Sequence, residues 1–174
     1  APRKHELGRR RPLKPLVAAL ALLWSFQALG DTEILRGVKK NVFAVTVETL
    51  DPESRKAGLK EASLAQVIGQ RLAKRKVGVV NTADNEIYAR VVVLTSNDVE
   101  GKVLGYGAHV ELSFRQKALL KRDKTTEFMA QTWYKGNVTV SNPKQFGAQV
   151  VNALAVLVDQ FLADYGAVNP GMVK

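Results

Sequence analysis

Two hydrophobic periods alternate along this chain. Asn41 to Leu50 is rich in β-branched residues and reads as a strand, with Val42, Ala44, Thr46 and Glu48 on one face and Phe43, Val45, Val47 and Thr49 on the other. Asp51-Pro52 stops it, Asp51 as a cap and Pro52 as a first helical residue. From Leu59 to Lys76 the period becomes helical, with Leu64, Val67, Ile68 and Leu72 on one stripe. Val77 to Val80 predicts a short second strand, and Tyr88 to Ser96 a strand apolar on both faces and therefore central. Leu104 to Gln116 alternates cleanly: Tyr106, Ala108, Val110, Leu112 and Phe114 face a core, while His109, Glu111, Ser113 and Arg115 face water. Thr126 to Lys135 is the next strand, with Phe128, Ala130, Thr132 and Tyr134 inward and Met129, Gln131, Trp133 and Lys135 outward. A final helix starts at Asn142-Pro143, buries Phe146, Val150, Leu154, Leu157, Val158, Phe161, Leu162 and Tyr165, and ends at Gly166.

The predicted order is β-α-β-β-β-β-α. It specifies an α+β two-layer sandwich, with an antiparallel or mixed sheet and both helices on one face. From Gln145 to Val158 the last helix carries no charge, and its back offers Ala148, Val151, Ala155 and Val156. A helix apolar nearly all round is buried on more than one side.

The first thirty residues follow another logic. A basic stretch to residue 15 precedes the uncharged Leu16 to Phe26, then Gln27-Ala28-Leu29-Gly30 and Asp31. That is the layout of an export signal cleaved between Gly30 and Asp31. An uncleaved anchor, with 16–30 touching the inner membrane and the body facing the periplasm, is the alternative. Gly8-Arg9-Arg10-Arg11-Pro12-Leu13-Lys14 matches the twin-arginine pattern in its Arg pair, Leu and Lys, and departs from it at Gly8 and Pro12; an ordinary basic leader is the simpler reading. The predicted organisation is 1–30 as leader or anchor and 31–174 as one α+β domain located in the periplasm.

Charge supports this division. The net charge is +10, but residues 1–30 hold six basic residues against one acidic, so half the excess lies in the leader. The body is mildly basic, which is no argument for nucleic acid. The sequence has no cysteine, which excludes disulfides, thiolate metal sites, a Cys nucleophile and a lipidated Cys within it. His5 and His109 are its two histidines, so a multi-His metal site is not expected, nor is any cofactor.

The strand, the amphipathic helix, Gly78-Val79-Val80, Ala83-Asp84 and then Tyr88-Ala89-Arg90-Val91-Val92-Val93 together resemble a pattern of bacterial envelope accessory domains: the N-terminal part of TolB, the curli secretion protein CsgG and the exopolysaccharide lipoprotein PelC. The resemblance covers about residues 41–165 and is one of element order and hydrophobic pattern. It implies a non-enzymatic periplasmic part that assembles with itself or with an envelope machine. The chain departs from the lipoprotein members in lacking the lipidated Cys, which leaves tethering to a membrane open.

Catalytic chemistry finds little footing. Gly105-Tyr106-Gly107 lies inside an alternating strand and opens no helix, so it lacks phosphate-loop geometry. His109, Glu111 and Ser113 lie two apart on one strand face, about 6–7 Å between neighbours by the strand rise, too far for direct Ser-His contact. Asp51, Glu53, Asp98 and Glu100 suit turns and caps. The expected function is therefore association, by a homo-oligomer or by docking on envelope proteins through Ala148, Val151, Ala155 and Val156. The alternative is a binding module for a lipid, glycan or other anionic ligand on the wet sheet face, with Arg115, Trp133, His109 and Gln131 as candidate contacts. Lys117, Lys121, Arg122 and Lys124, with Arg71 to Lys76, add cations suited to an anionic partner.

Overall fold

The computed structural model describes residues 32–39, 43–122 and 124–173. The leader, 1–30, lies outside the described residues. A single 3₁₀ turn, Glu33–Leu35, leads in. Then come β1 (Phe43–Val47), α1 (Pro52–Lys56), α2 (Glu61–Lys74), β2 (Asn85–Asn97), β3 (Val103–Leu119), β4 (Glu127–Ser141) and α3 (Phe146–Val168). The strands form one mixed sheet in the order β1-β2-β3-β4. β1 runs parallel to β2, so α1 and α2 make the crossover, and β2, β3 and β4 follow as antiparallel hairpins. α2 packs on β1 and α3, and α3 lies across β3 and β4. The fold is α+β with one face of the sheet covered.

Local chemistry explains most boundaries. Asp51 Oδ1 accepts the Ser54 amide at 2.7 Å, and Pro52 takes the first position of α1. Leu64, Ile68 and Leu72 form the buried stripe of α2. Asn142 Oδ1 accepts the Lys144 and Gln145 amides at 3.1 Å, closing a turn that feeds α3. Among the described residues α3 is the helix long and apolar enough to cross a membrane, but its apolar side is spent on the core of this sheet.

Three expectations are corrected. Val77 to Val80 is no strand: Val79 makes one parallel bridge to Phe43, and Val80 N–H donates to the Phe43 carbonyl at 2.9 Å before the chain turns into β2. Only Val77 reaches the core, while Val79 and Val80 are exposed, so no second face exists to anchor a ladder. Gly166 does not end α3, which continues to Val168; a Cβ there would lie 3.4 Å from the side chain of Val173, which folds back over it. β4 runs on through Gly136-Asn137 to Ser141, paired with β3 throughout.

The core is aromatic at its centre. Phe161 has Trp133 at 5.2 Å, Phe114 at 5.6 Å, Tyr165 at 6.0 Å and Phe43 at 6.1 Å between ring centroids. Such contacts add about 0.5–1.5 kcal/mol each beyond the area they bury. The segment before β1 is tied to the far end of α3. Tyr165 Oη donates to the Val38 carbonyl at 2.6 Å. Asn169 Nδ2 donates to the Leu35 carbonyl at 2.8 Å, and Asn169 Oδ1 accepts the Gly37 amide at 2.7 Å. Leu35 and Val38 are buried beneath this clasp.

Burial pushes the Tyr165 hydroxyl above its ordinary value. Its neutral form is the one the fold favours, so that contribution is complete below about pH 10 and is lost as pH rises beyond it. Tyr165→Phe leaves the Val38 carbonyl without its donor and should cost about 1–3 kcal/mol in denaturant unfolding. It should also speed proteolytic cutting within residues 32–39, and weaken the loss of stability above pH 10.

Candidate functional site

The helices cover one face of the sheet and leave the other open. Along β3 the even-numbered residues Tyr106 to Phe114 are buried, and His109, Glu111 and Arg115 line the open side. Across it the register aligns Tyr88, Ser113 and Tyr134; Arg90, Glu111 and Gly136; Val92, His109 and Val138; and Leu94, Gly107 and Val140. These rows divide the face into a polar end and an apolar end.

The polar end is a closed network. The Arg115 guanidinium lies over the Tyr88 ring, 3.3 Å from its centroid, with Glu86 3.9 Å away. Tyr88 Oη donates to Glu48 at 2.7 Å, Arg90 pairs with Glu48 at 3.3 Å, and Thr46 Oγ1 donates to Glu86. Desolvation, then the bond to Glu48, raises the Tyr88 pKa, which keeps it a neutral donor. Arg115 is thus occupied by its own neighbours. Ser113 is fully buried beneath this layer, with its hydroxyl 3.4 Å from the Tyr88 carbonyl. It is neither wet nor aligned with His109, and among the described residues Ser113 and His109 form no nucleophile-base pair. Among the described residues no cluster of His, Asp and Glu is arranged to hold a metal.

The apolar end was not foreseen. Leu94, Val138 and Val140 are 73%, 69% and 78% exposed, and they flank His109 and Gly107. The apolar second face of β2 suggested burial on both sides; β2 is indeed an inner strand, but that side meets solvent. The signal for this end lay in Val138-Thr139-Val140, beyond the expected end of β4 at Lys135.

Of the four expected contacts, three share the open face. His109 lies half-buried at the junction of the two ends, Arg115 stands in the polar network, and Gln131 is exposed beside it, opposite Arg115 in the register. Trp133 is the correction. A bulge in β4 places Trp133 opposite Phe114 and Gln131 opposite Arg115, leaving Thr132 as the extra residue. Every side chain beyond it changes face. Trp133 is therefore 2% exposed in the core, where its indole N–H donates to Asp164 at 3.0 Å, and Tyr134 takes the open side. Lys135 completes the arrangement, 2.9 Å from Asp164 and 5.7 Å from the Trp133 ring centroid.

The back of α3 is likewise divided. Asp159 pairs with Arg71 of α2, and Ala155, one turn earlier, is buried, with Val151 packed partly against the core. Only Ala148 and Val156 of the four remain exposed, on a stripe that also carries Asn152 and Gln160. The second side of this helix, uncharged from Gln145 to Val158, is thus met within the chain by α2. Beside the ion pair, Gln70, Arg71, Lys74 and Arg75 line an open cleft of about 670 Å³.

No family model and no curated protein matches the chain. Solved structures similar to it include a PelC dodecamer from Paraburkholderia phytofirmans, at 10% identity over 69% of this chain and 86% of that one, TM-score 0.41. A minor lipoprotein from Acinetobacter baumannii is 10% identical over 76% of this chain and 94% of its own, TM-score 0.43. The rare lipoprotein B of Shewanella oneidensis is 14% identical over 74% and 96%, TM-score 0.37. PelC, whose pattern the sequence resembles, is thus among the similar structures, together with bacterial lipoproteins.

Trp133→Ala should cost about 3–5 kcal/mol in unfolding, as loss of a buried aromatic does, instead of acting on a surface property alone. Gly136 offers a finer check, because a Cβ there would lie 2.7 Å from His109 Nε2 and 3.0 Å from Tyr134 Oη. Gly136→Ala should displace the imidazole and cost about 1 kcal/mol. In a His109→Ala background the part of the cost due to the imidazole should disappear and only the contact with Tyr134 Oη should remain, which a double-mutant cycle reads as coupling between 109 and 136.

Proposed function

We propose that the chain is a non-enzymatic component of the bacterial cell envelope, exported to the periplasm or held at the inner membrane by residues 16–30, and that it acts by associating with copies of itself. The observation that carries this reading is the apolar end of the open face. Leu94, Val138 and Val140 stand in water side by side, on strands of a rigid sheet. The patch continues to β4, the outer strand of the sheet, and no strand pairs with its far edge among the described residues. An edge of this length with valines on it favours pairing with an equivalent surface. Exported location rests on the leader, and the non-enzymatic reading on His109, the one described histidine, which lies beside Gly136 and Tyr134 and away from the buried Ser113.

The surface for association moves accordingly from the helix back to the sheet. Sedimentation velocity of residues 31–174 over a concentration series should show reversible association. Val138→Asp with Val140→Asp should leave a folded monomer, whereas Val156→Asp on α3 should change nothing. A wild-type monomer throughout, or loss of association only with Val156→Asp, overturns the assignment.

A further inference from the structure

The β3-β4 hairpin outruns the sheet. The last pair between β2 and β3 is Asn85 with Gln116, and Lys117 N–H makes one more bond, to the Asp84 carbonyl at 2.8 Å. Beyond that point only two strands continue, pairing Ala118 with Phe128 and Leu119 with Glu127. Leu120 N–H donates to the Thr126 carbonyl at 3.0 Å and closes the loop. The tip of the ribbon therefore has no third strand beside it, and Phe128 and Met129 border only an open cleft shared with Ala83 and Asp84.

Its composition is unlike that of a solvated turn. Leu119 is 55% exposed, and Phe128 and Met129 are each 43% exposed. Leu119 and Met129 lie on the open-face side of the ribbon and Phe128 on the other, so burial within the chain cannot cover them together. Lys121, Arg122 and Lys124 crown the loop and are all exposed. Lys124 holds a left-handed backbone, φ 54°, where glycine is the unstrained residue; a cation sits there instead. Lys117 pairs with Glu127 at 2.5 Å across the neck, so Glu127 has its own counter-ion, and by sequence the loop from 121 to 124 holds three cations against one acid, Asp123.

We propose that this tip docks on an anionic bilayer surface. Leu119, Phe128 and Met129 enter the boundary between headgroups and acyl chains, and Lys121, Arg122 and Lys124 meet the lipid phosphates. Apolar area and basic charge on one protruding element are the two terms that drive interfacial binding, and each alone is weak. A soluble polyanion would use the cations and gain nothing from the exposed Phe and Met. The docking is separate from self-association, which uses Val138 and Val140 some ten residues along β4.

The sequence has no cysteine, so Leu119→Cys carries a single environment-sensitive fluorophore at the tip. Residues 31–174 hold the whole described core, from Leu35 to Val168, and so fold without the apolar leader that would itself bind lipid. Vesicles of phosphatidylcholine mixed with phosphatidylglycerol should shift the emission to the blue and shield the fluorophore from an aqueous quencher. Vesicles of phosphatidylcholine alone should do so weakly, and the same fluorophore at Ala148→Cys should not respond. Each of Lys121→Glu, Arg122→Glu and Lys124→Glu should raise the lipid needed for half the shift by about fivefold or more. Phe128→Ser with Met129→Ser should weaken binding further with the circular dichroism unchanged. The Val138→Asp, Val140→Asp variant should keep the full shift, so failure of association and failure of docking are read apart. A tip that stays water-exposed on anionic vesicles overturns the proposal. So does an equal shift with soluble polyphosphate, or binding indifferent to Phe128 and Met129.

Discussion

Phe161 is the residue on which this fold converges. Its ring meets Phe43 from β1, Phe114 from β3, Trp133 from β4 and Tyr165 from its own helix. Each strand except β2 is thereby held to α3 through one side chain, and β2 is held by its ladders to β1 and β3. The constraint is geometric as well as energetic. Interiors are close-packed, and rings on three strands cannot all meet one ring on a helix unless each strand presents the correct face at that level.

The bulge at Thr132 is how β4 satisfies that constraint. Without it Trp133 would point to water and Thr132 to the core, as simple alternation implies. With it, the indole enters the core and takes Asp164 as its acceptor, while Tyr134, Val138 and Val140 are all delivered to the open side. One inserted residue therefore both completes the core and creates the apolar end of the exposed face. The surface available for association is a by-product of the way the interior closes.

The strength of the periodic signal decided what could be read in advance. The two-layer α+β class, the inward face of β3, the stripe of α2 and the Asp51-Pro52 cap all follow from local pattern, and the structure has them. Trp133 was misplaced because a bulge has no hydrophobic signature: Phe128-Met129-Ala130-Gln131-Thr132-Trp133 alternates equally well in either phase. Val77 to Val80 looked like a strand because propensity cannot report whether a partner ladder exists. Ala155 and Val151 read as free from the local pattern because α2, which packs on α3 and pairs Arg71 with Asp159 one turn beyond Ala155, lies some eighty residues earlier and leaves no trace in the local sequence. His109, Arg115 and Gln131 share the open face, as alternation along β3 and the first part of β4 implies. That Arg115 is occupied by Tyr88 and Glu86 is a cross-strand fact that spacing within β3 does not carry.

The clasp between residues 35–38 and the end of α3 has a mechanical meaning. Tyr165 and Asn169 hold the backbone of this segment by hydrogen bonds at three points, two of them to carbonyls and one to an amide. Tension applied to the chain ahead of Leu35 is therefore delivered to the longest helix before it can reach β1. The bonds sit close together and would be loaded jointly rather than unzipped in turn. Because Tyr165 and Phe161 of the same helix also pack on Phe43, such a load is shared between the clasp and the aromatic centre of the core and does not fall on the edge strand β1 alone.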